Sequence, residues 1–195
     1  MPHKILGVIL AGGESSRMGR DKAFVLLAGR PMIAHVAERL RPQVDALALA
    51  GGAAPERFAA LGLEAFADAQ GEKLGPLAGV VAALDHAAAR GFSHVVTAPC
   101  DAPFLPLDLV ARLAASGGAA VVELGGKFEP TFALWPASAA GEARRLLGES
   151  AGPMALARAV GALAVSFLDG ADFANVNSRH ELARAENRLK GSGRG

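Results

Sequence analysis

Residues Ile5 to Leu10 form an unbroken apolar run of strand length. The chain leaves it directly into Ala11-Gly12-Gly13-Glu14-Ser15-Ser16-Arg17-Met18-Gly19-Arg20-Asp21-Lys22. An apolar run without polar alternation belongs to a strand covered on both sides. Glycine reaches φ > 0 and lets a ligand come close to the main chain. A buried strand ending in adjacent glycines therefore suits the presentation of backbone N–H groups to a phosphorylated ligand. Arg17 and Lys22 add two cations to the same loop. It is neither of the two common phosphate loops. No Gly-Lys-Ser/Thr follows the glycines, and Gly12 and Gly13 are adjacent while Gly19 comes too late for a dinucleotide fingerprint. The plainer alternative is a tight turn with solvated charges.

The remainder alternates between strand and helix signals. Phe24 to Leu27 is a short apolar run, and Ala28-Gly29-Arg30 turns the chain. Pro31 is expected at the first helical position, followed by Met32, Ile33, Val36, Ala37 and Leu40 at helical spacing, with Pro42 as the stop. Further strands are expected over Ala46–Ala50, Leu63–Phe66, Ser93–Ala98, Ala119–Leu124, Thr131–Trp135 and Leu163–Phe167. Helices are expected over Pro55–Leu61, Leu77–Ala89, Leu107–Ser116, Ala137–Leu147, Pro153–Val160 and Arg179–Lys190. The stretch from Asp68 to Leu74 reads as irregular and the one from Asp172 to Asn177 as a loop. This alternation, without a linker or an internal repeat, predicts a three-layer α/β fold: a mostly parallel sheet with helices on both faces. Residues 1–190 are expected to form one domain, with 191–195 as a disordered tail. In open sheets of this kind ligands lie beyond the carboxyl ends of the strands. The loops after Leu10 and after Ala98 should therefore face one crevice.

Composition narrows the function. The 195 residues carry a net charge of +1, so nothing global favours nucleic acid and any anion-binding charge must be local. No apolar run approaches the ~18 residues of a membrane span, and the amino terminus lacks a signal-peptide pattern, which predicts a protein away from the membrane. Cys100 is the single cysteine. It cannot form an internal disulfide or a cysteine-based metal cluster, which fits a reducing cytoplasm.

Several side chains could carry chemistry. Asp101 appears where the apolar strand before it ends. A hard oxygen ligand at a strand end suits Mg²⁺, which takes one or two protein carboxylates and fills its other positions with waters and phosphates. An Asp capping the following turn is equally compatible with that spacing. Cys100 reads as a small buried hydrophobe and not a nucleophile. His3, His35, His86, His94 and His180 have no metal-ligand spacing and read as structural or surface residues. Phe132 and Trp135 read as core. Asn177, Ser178 and Glu181 resemble a helix cap.

The string Leu10-Ala11-Gly12-Gly13-x-Ser15-x-Arg17-Met18-Gly19-x-Asp21-Lys22-Ala23, with Leu27-x-Gly29-x-Pro31-Met32-Ile33-x-His35-Val36 after it, resembles the molybdenum cofactor guanylyltransferases. The similarity continues at Gly75-Pro76-Leu77-Ala78-Gly79, Pro99-Cys100-Asp101-Ala102-Pro103-Phe104, and Asn175-Val176-Asn177 with Glu181-Leu182. It spans almost the whole chain and implies a Rossmann-like nucleotidyltransferase fold of the glycosyltransferase-A type. It also implies an activity: transfer of GMP from GTP to the phosphate of molybdopterin, with Mg²⁺ as cofactor and pyrophosphate released. By the same resemblance Lys22, Asp101 and Arg17 are catalytic. Leu10, Ala11, Gly12, Gly13, Lys22, Asp68 and Asp101 bind the nucleotide, Asp101 holds the metal, and Asn177 touches the acceptor or a second metal. Contact with cofactor-delivery proteins belongs to the same expectation. Fixed cations and a metal would neutralise the charge that develops as pyrophosphate leaves the α-phosphorus. Lys22 would do so as a compact ammonium and Arg17 as a planar fork.

The resemblance breaks at one point. Family members often carry an Asn after the second strand, where it helps hold the nucleotide. Here the chain reads Leu49-Ala50-Gly51-Gly52, so backbone groups of Gly51 or Gly52 would have to substitute. Two other readings stay open: a cytidylyltransferase acting on molybdopterin or another phosphorylated acceptor, and a non-catalytic nucleotide-binding module. Cytidylyl relatives usually have Ala-Ala-Gly where this chain has Ala11-Gly12-Gly13, and tend to lack Pro-Cys-Asp.

Overall fold

The structure, a computed structural model, describes residues 4–12, 22–51, 55–68 and 75–192. Gly13 and Arg17 lie outside them, as do Gly52 and most of the irregular stretch after Asp68.

β1 (Ile5–Leu10) is buried along its whole length. Its side chains alternate as a strand requires. Ile5 and Ile9 enter the core on one face of the sheet, Leu6, Val8 and Leu10 on the other. A two-stranded hairpin follows, β2 (Leu26–Leu27) and β3 (Arg30–Pro31), turning at Ala28 and Gly29 with φ of 50° and 79°. Helix α1 (Met32–Leu40) then lays Ile33, Val36, Ala37 and Leu40 on the first face. Pro31 is not its first helical residue as expected. It pairs with Leu26 in the hairpin and has extended ψ of 136°, so the helix begins one residue later.

β4 (Ala46–Ala50) and β5 (Glu64–Phe66) flank the 3₁₀ segment Pro55–Leu61. Helix α2 (Pro76–Ala89) covers the second face, entered through Gly75 at φ 68° with Pro76 in the first turn. β6 (His94–Pro99) leads to α3 (Leu109–Ala114), which is shorter than the expected Leu107–Ser116. Side chains from and just beyond α1 explain the late start. Arg39 donates to the Leu105 carbonyl (2.6 Å) and Gln43 Nε2 to the Pro106 carbonyl (2.9 Å), while Gln43 Oε1 accepts from Val110 N–H (3.0 Å). Backbone groups claimed from outside leave no demand for a longer helix.

β7 (Ala120–Leu124) and β8 (Lys127–Pro136) form a hairpin across Gly125 and Gly126. β8 starts four residues before the expected Thr131. The pairing jumps from Val121–Ala133 to Val122–Glu129, so a bulge absorbs Pro130 and its neighbours. Helices α4 (Ala140–Gly148) and α5 (Pro153–Ala159) pack on the α2 face. β9 (Leu163–Ser166) closes the sheet, and α6 (Arg179–Ser192) ends the described chain. α6 takes in Gly191 and Ser192, which were expected in the tail.

The seven strands lie in the order β5-β4-β1-β6-β8-β7-β9. All run parallel except β8, which is antiparallel to both neighbours. The expected three-layer, mostly parallel α/β sheet is what forms. The carboxyl ends of β1, β4 and β6 therefore open at one edge. No helix among the described residues is long and apolar enough to cross a membrane.

Candidate active site

At that edge a cavity of about 210 Å³ is lined by Leu10, Gly12, Lys22, Ala50, Asp68, Gly75, Pro76, Gly79, Pro99, Cys100, Asp101 and Thr131. Gly12 and Lys22, which bracket the loop after β1, thus share one crevice with Cys100 and Asp101 after β6.

Asp101 lies two residues beyond the end of β6, after Cys100. The backbone fixes this corner on two sides. Cys100 N–H donates to the Leu10 carbonyl (3.1 Å), extending the β1–β6 ladder, and Val176 N–H donates to the Asp101 carbonyl (2.8 Å). The Asp101 residue is only 8% exposed. Burial pushes its carboxyl above the usual carboxylate range. The Lys22 ammonium opposes that shift, and Glu181 adds a smaller push upward.

Lys22 opens the 3₁₀ turn Lys22–Phe24, whose Ala23 is fully buried. Phe24 stacks on Phe58 at 5.3 Å with rings 16° apart, which holds the turn against the first core face. From there the Lys22 Nζ lies 3.5 Å from Asp101 Oδ2 and donates to Asn177 Oδ1. Asn177 is held in turn. Its N–H donates to Glu181 Oε2 (2.7 Å), which also accepts from the Ser178 hydroxyl (3.0 Å), while Ser178 Oγ accepts from Glu181 N–H (3.2 Å). This is a capping box at the start of α6. The hydrogen bond from Asn177 N–H, with that from Ser178, holds the Glu181 carboxyl below its usual range. The cap and the contact with Lys22 are one arrangement.

On the opposite side of the cavity lie Gly12, Asp68 and Gly79. A Cβ on Gly12 would run into the Asp68 carboxylate, with Cγ at 2.8 Å. Position 12 is glycine because the carboxylate occupies the space a side chain would need. A Cβ on Gly79 would stand 3.1 Å from Leu10 Cδ2 and 3.6 Å from both Ala50 Cβ and Asp68 Oδ1. A glycine in the first turns of α2 lets that helix approach the sheet edge. Its positive end, at Gly75 and Pro76, faces the cavity.

The structure brings Lys22, Asp101, Leu10, Gly12 and Asp68 together around this space, and Asn177 reaches it through its contact with Lys22 without lining the cavity. Ala11 does not join them with its side chain. Its methyl is buried in the core on the α1 face, its N–H donates to the Ala50 carbonyl (2.8 Å), and it borders the cavity only through the peptide it shares with Gly12. Cys100 is buried as expected but also lines the cavity. Phe132 and Trp135 are core residues; Trp135 Nε1 donates to Thr97 Oγ1 (3.2 Å). Sequence reasoning missed Thr131, which the β8 bulge places at the cavity. Pro130, disfavoured inside a strand, was the available signal.

A strand-end carboxylate, a lysine after a glycine-rich stretch and a helix amino terminus at the carboxyl edge of a mostly parallel sheet make up the kind of site at which α/β proteins bind phosphorylated ligands. Residues 7–163 match the family model described as the MobA-like NTP transferase domain. The chain is 46% identical over 191 residues to a molybdenum cofactor guanylyltransferase of Cereibacter sphaeroides, covering 96% of this chain and 98% of that one. It is 45% identical over 190 residues to one of Rhodobacter capsulatus, covering 96% and 97%. Among solved structures, molybdopterin-guanine dinucleotide biosynthesis protein A of Archaeoglobus fulgidus superposes with a TM-score of 0.75 at 24% identity, over 96% of this chain and 99% of that one. The 2-C-methyl-D-erythritol 4-phosphate cytidylyltransferase of Thermus thermophilus superposes with a TM-score of 0.70 at 18% identity, over 97% and 100%. The chain belongs to the MobA-like NTP transferase family.

Proposed function

We propose that this protein transfers GMP from GTP to the terminal phosphate of molybdopterin, forming the guanine dinucleotide cofactor and releasing pyrophosphate. The observation that carries this reading is the approach of Lys22 to within 3.5 Å of Asp101 across one cavity. The chemistry needs an acceptor oxygen to attack the α-phosphorus while pyrophosphate departs. A phosphate acceptor is already ionised near neutral pH, so no general base is required. What the protein must supply is position and charge. Lys22 neutralises phosphate oxygens as they gain charge. Gly12 offers its main-chain N–H to the nucleotide, Leu10 lines the wall beside it, Ala11 contributes through the peptide it shares with Gly12, and Asp68 closes that side. Asn177 orients the Lys22 ammonium toward the acceptor half.

The residues fit a magnesium ion that arrives on the triphosphate. Asp101 is a single carboxylate at a strand end, and among the described residues no three His, Cys, Asp or Glu side chains converge as a cage. Mg²⁺ is commonly held in that sparse manner. Asp101 would hold it, and when bound it would supply charge neutralisation at the transferred phosphoryl group. Gly13 and Arg17 belong to the same proposal as further nucleotide and phosphate contacts. A cytoplasmic setting belongs to it as well, with Cys100 as a reduced, buried thiol.

One observation favours a second reading, a cytidylyltransferase. Ala50 is fully buried in the cavity wall, where its side chain offers no amide to a nucleotide. The test is pyrophosphate release with molybdopterin and Mg²⁺, run in parallel with GTP and CTP. Release with GTP supports the proposal, and preference for CTP overturns it in favour of the second reading.

A further inference from the structure

The 3₁₀ segment Pro55–Leu61 touches both ends of the glycine-rich loop. Arg57 Nη2 donates to the Ala11 carbonyl (3.0 Å), where the loop begins. The next residue, Phe58, stacks on Phe24, two residues after Lys22, where the loop ends. The Arg57 guanidinium also lies 4.6 Å from the Phe58 ring centroid. Neither Arg57 nor Phe58 lines the cavity. They reach it through Ala11 and Phe24.

The peptide from Ala11 to Gly12 is trans, so the Ala11 C=O and the Gly12 N–H point in opposite directions. Leu10 C=O accepts from Cys100 on the β6 side, and Ala11 N–H donates to Ala50 on the β4 side. Arg57, which follows β4, then takes the Ala11 carbonyl. Gripping that oxygen turns the Gly12 N–H away from Arg57, and Gly12 lines the cavity while Arg57 does not. Glycine has the widest choice of backbone conformations, so without such a grip this peptide would be free to rotate. We infer that Arg57 is a positioning residue for nucleotide binding: it fixes the Ala11–Gly12 peptide so that the Gly12 N–H stays directed at the nucleotide. With Ala50 offering no amide, main-chain donors carry more of the recognition, and their orientation matters more.

This inference rests on the guanylyltransferase reading for the identity of the nucleotide but not for the role of Arg57. The experiment compares wild type, Arg57→Ala and Arg57→Lys. It measures calorimetric affinity for GTP, CTP and ATP with Mg²⁺, steady-state kinetics on the nucleotide bound, and melting temperature. Arg57→Ala should weaken nucleotide binding and raise KM by about fivefold to tenfold, the scale of one charge-assisted hydrogen bond. kcat should change less than about twofold, since the interaction is equal in ground and transition states. Arg57→Lys, which keeps one donor, should recover most of the affinity. Unchanged affinity in Arg57→Ala overturns the inference, as does a loss that tracks the melting temperature with Arg57→Lys no better than Arg57→Ala. A wild type that binds CTP in place of GTP sinks the guanylyl reading alone, and Arg57 is then judged on CTP. A wild type that binds no triphosphate overturns both.

Discussion

The Lys22 ammonium and the Asp101 carboxylate stand 3.5 Å apart although 79 positions separate them in the chain. One leaves a glycine-rich loop and the other ends a buried strand, and only the sheet order β4-β1-β6 brings them together. Asn177, from the far carboxyl-terminal part of the chain, completes the contact.

Lys22→Ala and Asp101→Asn should each lower kcat/KM for pyrophosphate release by about 10² to 10³, the range for removing one preorganised charge from a transition state. Their effects should not multiply in the double variant, because both act on the same phosphoryl group. Multiplicative losses would mean that the two residues serve separate steps.

Asp101 should cost the ligand-free protein stability. Its folded-state carboxyl titrates above the ordinary Asp value because of burial. A group shifted in that direction contributes stability below its unfolded value, and that contribution is lost as pH rises through the folded value. At neutral pH the ionised, buried carboxylate is therefore a net burden. Asp101→Asn, inactive as an enzyme, should melt above wild type at pH 7 in chelated, nucleotide-free buffer. The gap should close as pH falls toward 4. A lower melting temperature at pH 7 would contradict this.

Gly12→Ala should destabilise the protein by about 1 to 3 kcal/mol, the usual cost of forcing atoms into filled space. The added methyl meets the Asp68 carboxylate. Combining it with Asp68→Ala should restore the unfolding free energy measured in denaturant, while nucleotide affinity stays low. If the double variant is no more stable than Gly12→Ala, the collision lies elsewhere.

Glu181→Ala should cost about 1 kcal/mol as a lost helix cap. It should also lower kcat severalfold, because Glu181 holds the Asn177 backbone that presents Oδ1 to Lys22. Glu181→Gln keeps an acceptor and should fall between. A stability loss with unchanged kcat would separate the cap from the site.

Much of the fold and of the site is legible in the sequence. Ile5–Leu10 announced a strand covered on both faces, and the glycines after it announced the loop. Asp101 could be placed at a strand end because Val95, Val96 and Ala98 precede it. Other features depended on distant partners. The late start of α3 is set by Arg39 and Gln43, which claim the backbone of Leu105, Pro106 and Val110 from beside another helix. Pro31 has the local character of a first helical residue, yet hairpin pairing with Leu26 overrides it. Asn177 and Glu181 read as a cap, which they are; their link to Lys22 exists only once residue 22 and residue 177 meet in space. Thr131 reached the cavity through a bulge that strand periodicity does not encode.

Among the described residues β8 is the only strand that runs against the rest of the seven-stranded sheet, and Thr131 reaches the cavity on it. It therefore arrives from the opposite direction to Gly12 and Asp101. A residue inserted or deleted near the Gly125–Gly126 tip would swing that wall while leaving the wall built by β1, β4 and β6 in register. The two sides of the crevice answer to independent stretches of chain, so a lineage could retool one partner's berth without rebuilding the other.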